Sequence, residues 1–140
     1  MIPKSTLRRA QIQHREISAM QQNRVFINDH GIVEILVMGD QTVASVQAMG
    51  DQAIELAEGL RTAGKPALVL DNLLQMGHVP TEARKLVVDL IKSNDYDKLA
   101  MLGAEPVLKL GANLMLQATG KGSRVKYFDN REKCIAWLLS

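Results

Sequence analysis

Cysteine, aromatic residues and long apolar runs are all scarce in this chain, and each scarcity removes a class of protein. A single cysteine, Cys134, leaves no internal disulfide and no cysteine-rich zinc module. Five aromatics (Phe26, Tyr96, Tyr127, Phe128, Trp137) provide little platform for stacked bases, and sequence-specific nucleic-acid recognition is not expected. No apolar run reaches the ~18 residues of a membrane helix, and Met1-Ile2-Pro3-Lys4 does not open a secretory signal. The expectation is a cytoplasmic chain that does not span a membrane. His14, His30 and His78 stand in separate segments, none with a second histidine at the spacing of H-E-x-x-H, so neither metal nor cofactor is expected.

What remains is an ordinary globular composition, 46% apolar and 23% charged over 140 residues, which suits one domain. The charge is unevenly divided. Residues 1–24 carry Lys4, Arg8, Arg9, Arg15 and Arg24 against Glu16 alone, a net +4, while the rest of the chain is mildly acidic. Residues 1–23 therefore read as a basic segment, partly helical or disordered, ahead of a domain over 24–140. Such an arm either attracts phosphates and anionic lipid or simply solvates the terminus.

The hydrophobic pattern then changes period at residues that suit boundaries. Val25–Ile27 and Ile32–Met38 read as two strands joined by the turn Asn28-Asp29-His30-Gly31. Glu34 interrupts the second strand, which suggests a face open to water or a partner at that height. Between Thr42 and Ala63, Val43, Val46, Met49, Ala53, Leu56, Ala57 and Leu60 make one helical stripe, and Gly64 supplies the stop. Gly50 and Gly59 weaken that helix unless close packing uses their small size.

Ala67–Leu70 and Leu99–Leu102 are continuous apolar runs of the kind buried inside a parallel sheet. Pro80 opens a helix whose stripe is Leu86, Val87, Leu90 and Ile91, and Pro106 opens another that Gly120 closes. Arg124–Phe128 alternates as a strand, and Asp129 with Glu132 forms a cap pair before a last helix carrying Ile135, Leu138 and Leu139. The expected fold class is α/β: a mixed, mostly parallel five-stranded sheet in the order β-β-α-β-α-β-α-β-α.

Three stretches carry a family likeness: Gly64-Lys65-Pro66-Ala67-Leu68-Val69-Leu70-Asp71, Pro80-Thr81-Glu82-Ala83-Arg84, and the closing run from Lys126 to Leu139. Together with the element order they resemble the STAS domain superfamily (sulfate transporter and anti-sigma factor antagonist), in its SpoIIAA-like branch. The likeness spans roughly residues 24–139. It implies a module that binds rather than catalyses, with the loop after the Ala67–Leu70 strand as its contact surface. Antagonists of this type carry a phosphorylatable Ser or Thr, usually after Asp, at the start of the next helix. Here the nearest hydroxyl is Thr81, preceded by Val79-Pro80, and the Asp-Ser pair is absent. Relatives in this branch also resemble lipid-carrying folds in outline.

The candidate site is the segment Asp71–Thr81, where Leu73, Leu74, Met76 and Val79 are apolar in a stretch expected to meet water. They either grip a partner or fold back on the core. Thr81 is either a phosphoacceptor at a helix N-terminus or a helix-starting threonine. His78 shares the segment with Asp71, but a catalytic couple lacks a nucleophile better than Thr81. Cys134 suits a small buried position. Thr119-Gly120-Lys121-Gly122-Ser123 is no phosphate loop, since Met115 stands where the motif needs glycine and the segment runs from helix to strand.

The expected function is thus a non-catalytic, regulatory binding module of bacterial type with a protein partner at Asp71, Leu73, Leu74, Met76, His78, Val79 and Thr81. The alternative is a carrier or sensor of a small apolar or lipid-like ligand, suggested by the same loop and seven methionines. An enzyme using His78 and Asp71 ranks below both. An exposed apolar loop also leaves a homodimer open.

Overall fold

The computed structural model describes residues 23–103 and 124–140. The expected basic segment before Asn23 and the expected helix after Pro106 lie outside the described residues. The described elements are β1 (Arg24–Ile27), β2 (Val33–Gly39), α1 (Val43–Thr62), β3 (Leu68–Met76), α2 (Thr81–Ser93), β4 (Lys98–Leu102), β5 (Val125–Phe128) and α3 (Arg131–Leu139). The sheet order is β1-β2-β3-β4-β5, with β1 antiparallel to β2 and every later pair parallel. This is the expected mixed, mostly parallel five-stranded α/β sheet.

The hairpin forms where the turn chemistry places it. Asn28 Oδ1 accepts from the His30 and Ile32 N–H groups, and Gly31 takes φ +74°, a conformation that costs other residues about 1–2 kcal/mol. Helix α1 begins on a reciprocal cap: Thr42 Oγ1 accepts from Ser45 N at 3.0 Å while Ser45 Oγ accepts from Thr42 N at 2.9 Å. Its end is the expected Gly64. The α3 cap departs from expectation. Asn130, not Asp129, is the capping residue, its Oδ1 accepting from Lys133 N at 3.0 Å, because α3 starts one residue later than the Asp129–Glu132 spacing suggests.

Because a parallel sheet is covered on both faces, its strands are apolar on both sides. On one face Val33, Val37, Val69, Leu73, Leu99 and Met101 meet Val46, Met49 and Ala53 of α1 and Ala83 and Ile91 of α2. On the other, Leu68, Leu70, Ala100 and Leu102 meet Cys134 and Leu138 of α3, with Phe128 and Trp137 at the rim, ring centroids 5.6 Å apart. Helix α1 packs across β1, β2 and β3, whereas α3 packs on β3, β4 and β5. Among the described residues, α3 lies over the β3–β5 side of its face.

The two interior glycines of α1 part company. A Cβ on Gly50 would stand 2.8 Å from Leu90 Cδ1, so its small size sets the approach of α2, whereas nothing lies within 4 Å of that position on Gly59. Gly59→Ala is expected to raise the urea midpoint by about 0.5–1 kcal/mol of stability through helix propensity. Gly50→Ala is expected to show no such gain, because Leu90 must shift to admit it.

Candidate functional site

The segment singled out from the sequence is in its first half a strand, not a loop. β3 continues past Leu70 to Met76, since β2 runs beside it to Gly39 and supplies partners, Gln75 opposite Met38 and Met76 opposite Gly39. On its other side β4 pairs up to Leu102, opposite Asn72. Paired on both sides, Asp71 and Asn72 take a strand conformation that their own propensities disfavour.

Beyond Met76 the chain is stitched to the β2–α1 connection. Gly77 N donates to Gly39 O at 2.7 Å, His78 N to Asp40 Oδ1 at 2.8 Å, and Gln41 N to His78 O at 2.9 Å. The fit is tight: a Cβ on Gly77 would collide with the Asp40 carboxylate and the Gly39 backbone, and Gly39 itself sits at φ +71°. Gln41, 3% exposed, anchors the same corner. Its amide nitrogen donates to Met38 O and Gly39 O, and its Oε1 accepts from Ser45 Oγ and Asn23 Nδ2. Nothing in the sequence singles out this glutamine, because its partners, two backbone carbonyls and the side chains of Asn23 and Ser45, are brought to it by the fold.

This frame sorts the seven candidate residues. Leu73, 5% exposed, belongs to the core, and Met76 and Val79 are half-buried against it. Leu74 alone of the four apolar residues stays open, at 46%. His78 is exposed. Asp71 lies at the inner end, seven residues away along a largely extended segment, or ~20 Å, so the two do not form a couple. Thr81 is exposed as the first residue of α2, and Pro80 holds the cap position with no side-chain bond, so its hydroxyl is not used for capping. Among the described residues no group of three or more His, Cys, Asp or Glu is placed to hold a metal, and no helix is long and apolar enough to cross a membrane.

Asp71 faces α1 and α2 from the middle of the sheet, between Ile35 and Met101, and two residues from Val69 and Leu73. Burial pushes its carboxyl up to about 7, and burial with the Asp71 charge pushes the Tyr96 hydroxyl up to about 12.

Glu34 corrects a second expectation. It is not open to water but 4% exposed, held by a bidentate pair with Arg131 (2.7 and 3.0 Å) and by Asn28 Nδ2 and Asn72 Nδ2 at 3.0 and 3.3 Å. Burial alone raises a carboxyl, but these bonds and the Arg131 charge together hold Glu34 below its ordinary value. A charged residue amid a strand's apolar run was the signal, but its partner lies 97 positions away. Cys134 is buried as expected, its thiol pushed up to about 12 by burial.

Both carboxyls make testable demands. Asp71 is protonated in both folded and unfolded chains well below pH 4. As pH rises from about 4 to 7 the unfolded chain releases that proton first, so folding loses stability across this window. Asp71→Asn is expected to add on the order of 2–4 kcal/mol at pH 7.5 and little at pH 3.5, read from urea midpoints. The folded value of Glu34 is depressed, so its contribution holds above its unfolded value and is lost as pH falls through the folded one. Arg131→Met is expected to cost about 2–3 kcal/mol at pH 7, and less as acidification neutralises the orphaned Glu34, by the same measurement.

No protein-family model matches the chain, and no curated protein matches it by sequence. Among solved structures it is similar to the crystal structure of an uncharacterized DUF3478-family protein from Shewanella loihica PV-4. The two share a TM-score of 0.55 at 15% identity, over 83% of this chain and 91% of that one. With its sheet order and helix placement already established, the chain has the SpoIIAA-like fold.

Proposed function

We propose that this protein is a non-catalytic binding module that engages a protein partner at the carboxyl ends of β2 and β3, through Leu74, His78, Val79 and Thr81. The observation that carries the reading is Leu74, a large apolar side chain left 46% exposed on a strand whose end is stitched to its neighbour. An apolar group held on a rigid frame loses little entropy on association, which is what a contact residue needs. In open α/β sheets the carboxyl ends of the strands are also where ligands bind. Thr81 adds a regulatory element. Its exposed hydroxyl opens α2, where a phosphate would meet a favourable helix terminus and change the charge beside the contact surface.

A carrier of an apolar ligand is less well supported, because Leu73, Met76 and Val79, which suggested it, pack on the protein's own core. The His78–Asp71 enzyme loses its geometry with the separation of the two residues.

Photo-crosslinking tests the proposal. Benzoylphenylalanine at Gln75 or His78 is expected to give a discrete protein adduct in cells, and none at the exposed Lys133 on α3. Leu74→Asp is expected to reduce the Gln75 adduct roughly tenfold or more, as loss of an anchor residue does. Equal labelling from all three positions, or an adduct indifferent to Leu74→Asp, would overturn the reading.

A further inference from the structure

Two polar groups in the cluster beneath α1 and α2 lack partners among the described residues. Asp71 stands in the regular part of both of its strand pairings, with Ile35 beside it on β2 and Met101 on β4, and all three lie on the face of Val69. Tyr96, in the connection between α2 and β4, packs on the same cluster, near enough for the Asp71 charge to act on its hydroxyl. Neither the carboxyl nor the hydroxyl makes a hydrogen bond among the described residues. No side-chain oxygen or nitrogen there is sealed from solvent without a partner, so both groups still touch solvent although each residue is half-buried.

An aspartate is disfavoured in a strand, and a carboxylate drawn into an apolar cluster loses hydration that nothing replaces. Glu34 shows what remedies this in the same sheet, where a guanidinium and two amides supply its donors. Asp71 has no such company. Its strand neighbours are apolar, and every charged side chain of α1 and α2 is exposed; of these, Arg61 alone bears on the pair, acting on Tyr96. An unpaired carboxyl held partly out of water is a recurrent mark of a binding site. We infer that Asp71 and Tyr96 bind a small organic cation, a protonated amine with an apolar stem, between the sheet and helices α1 and α2. The ammonium supplies the charge and the donors that the carboxylate lacks, the Tyr96 oxygen accepts a further N–H, and the stem suits the apolar cluster around them. One carboxylate and a phenol do not provide the several oxygens that a metal ion takes, which favours the organic cation.

Amide spectra of the nitrogen-15-enriched full chain test this, with n-butylammonium chloride as the probe and 1-butanol, neutral and of the same size, as its control at constant ionic strength. Butylammonium is expected to bind with a dissociation constant of order mM, in keeping with so few atoms, and to shift the amides of Asp71, Tyr96 and Met101 saturably, while 1-butanol shifts them far less. Binding is expected to be about tenfold tighter at pH 8 than at pH 6, because a carboxyl that titrates near 7 must give up its proton to take the amine. Asp71→Asn keeps the side chain's shape, is expected to fold more stably, and abolishes the shifts; Tyr96→Phe weakens binding several-fold. The absence of a saturable shift, an equal response to 1-butanol, an affinity indifferent to pH between 6 and 8, or binding that survives Asp71→Asn would each overturn the inference. Leu74 takes no part in these titrations, so their failure and a failure of the crosslinking experiment are separate results.

Discussion

A carboxylate buried inside a sheet is tolerable only when nearly every lone pair is used, and much of this molecule is arranged around meeting that demand at Glu34. Its two oxygens take hydrogen bonds from the β1–β2 turn through Asn28, from the central strand through Asn72 and from the start of α3 through Arg131. One side chain on β2 thus joins the hairpin, the sheet and the last helix. The apolar contacts of Cys134 and Leu138 have no direction of their own, whereas a bidentate guanidinium does. We attribute the placement of α3 over β3–β5 to that directional constraint acting at its first residue.

A related economy of polar contacts operates at the other corner. Gln41 satisfies two β2 carbonyls while receiving Asn23 and Ser45, so the start of β1, the end of β2 and the cap of α1 share one buried amide. Gly77 and His78 then continue the β2–β3 ladder beyond its last strand pair through backbone and Asp40 contacts. The consequence for function is rigidity at the end of the sheet. Leu74 stands on an ordered strand next to this stitch, and its exposure is a property of the fold rather than of a wandering loop.

Asp71 shows the opposite balance. Neighbouring strands place it on the helix-facing side of the sheet, where burial raises its carboxyl. Glu34 and Asp71 are both acids in the interior strands, yet their directions of shift differ because one has been given donors and a cation while the other is dominated by desolvation. Burial by itself therefore says little about the charge state of a carboxylate. Its partners decide.

Much of the architecture was legible in the sequence, because strand and helix periods, glycine stops and the Asn28–Gly31 turn are local properties of the chain. The hairpin, the long helix with its Thr42 and Gly64 ends, the two apolar inner strands and the buried Cys134 follow from such signals. The candidate segment was legible as unusual, but not in its parts. Whether Leu73 or Leu74 faces the core depends on how β3 pairs with β2, whose register shifts between Leu36 and Met38 beside these two residues. The length of β3, the partnership of Glu34 with Arg131 and the separation of Asp71 from His78 depend likewise on which strand lies beside which. Local sequence determines what a segment can become; the neighbours that satisfy its backbone and charges are chosen only when distant parts of the chain meet.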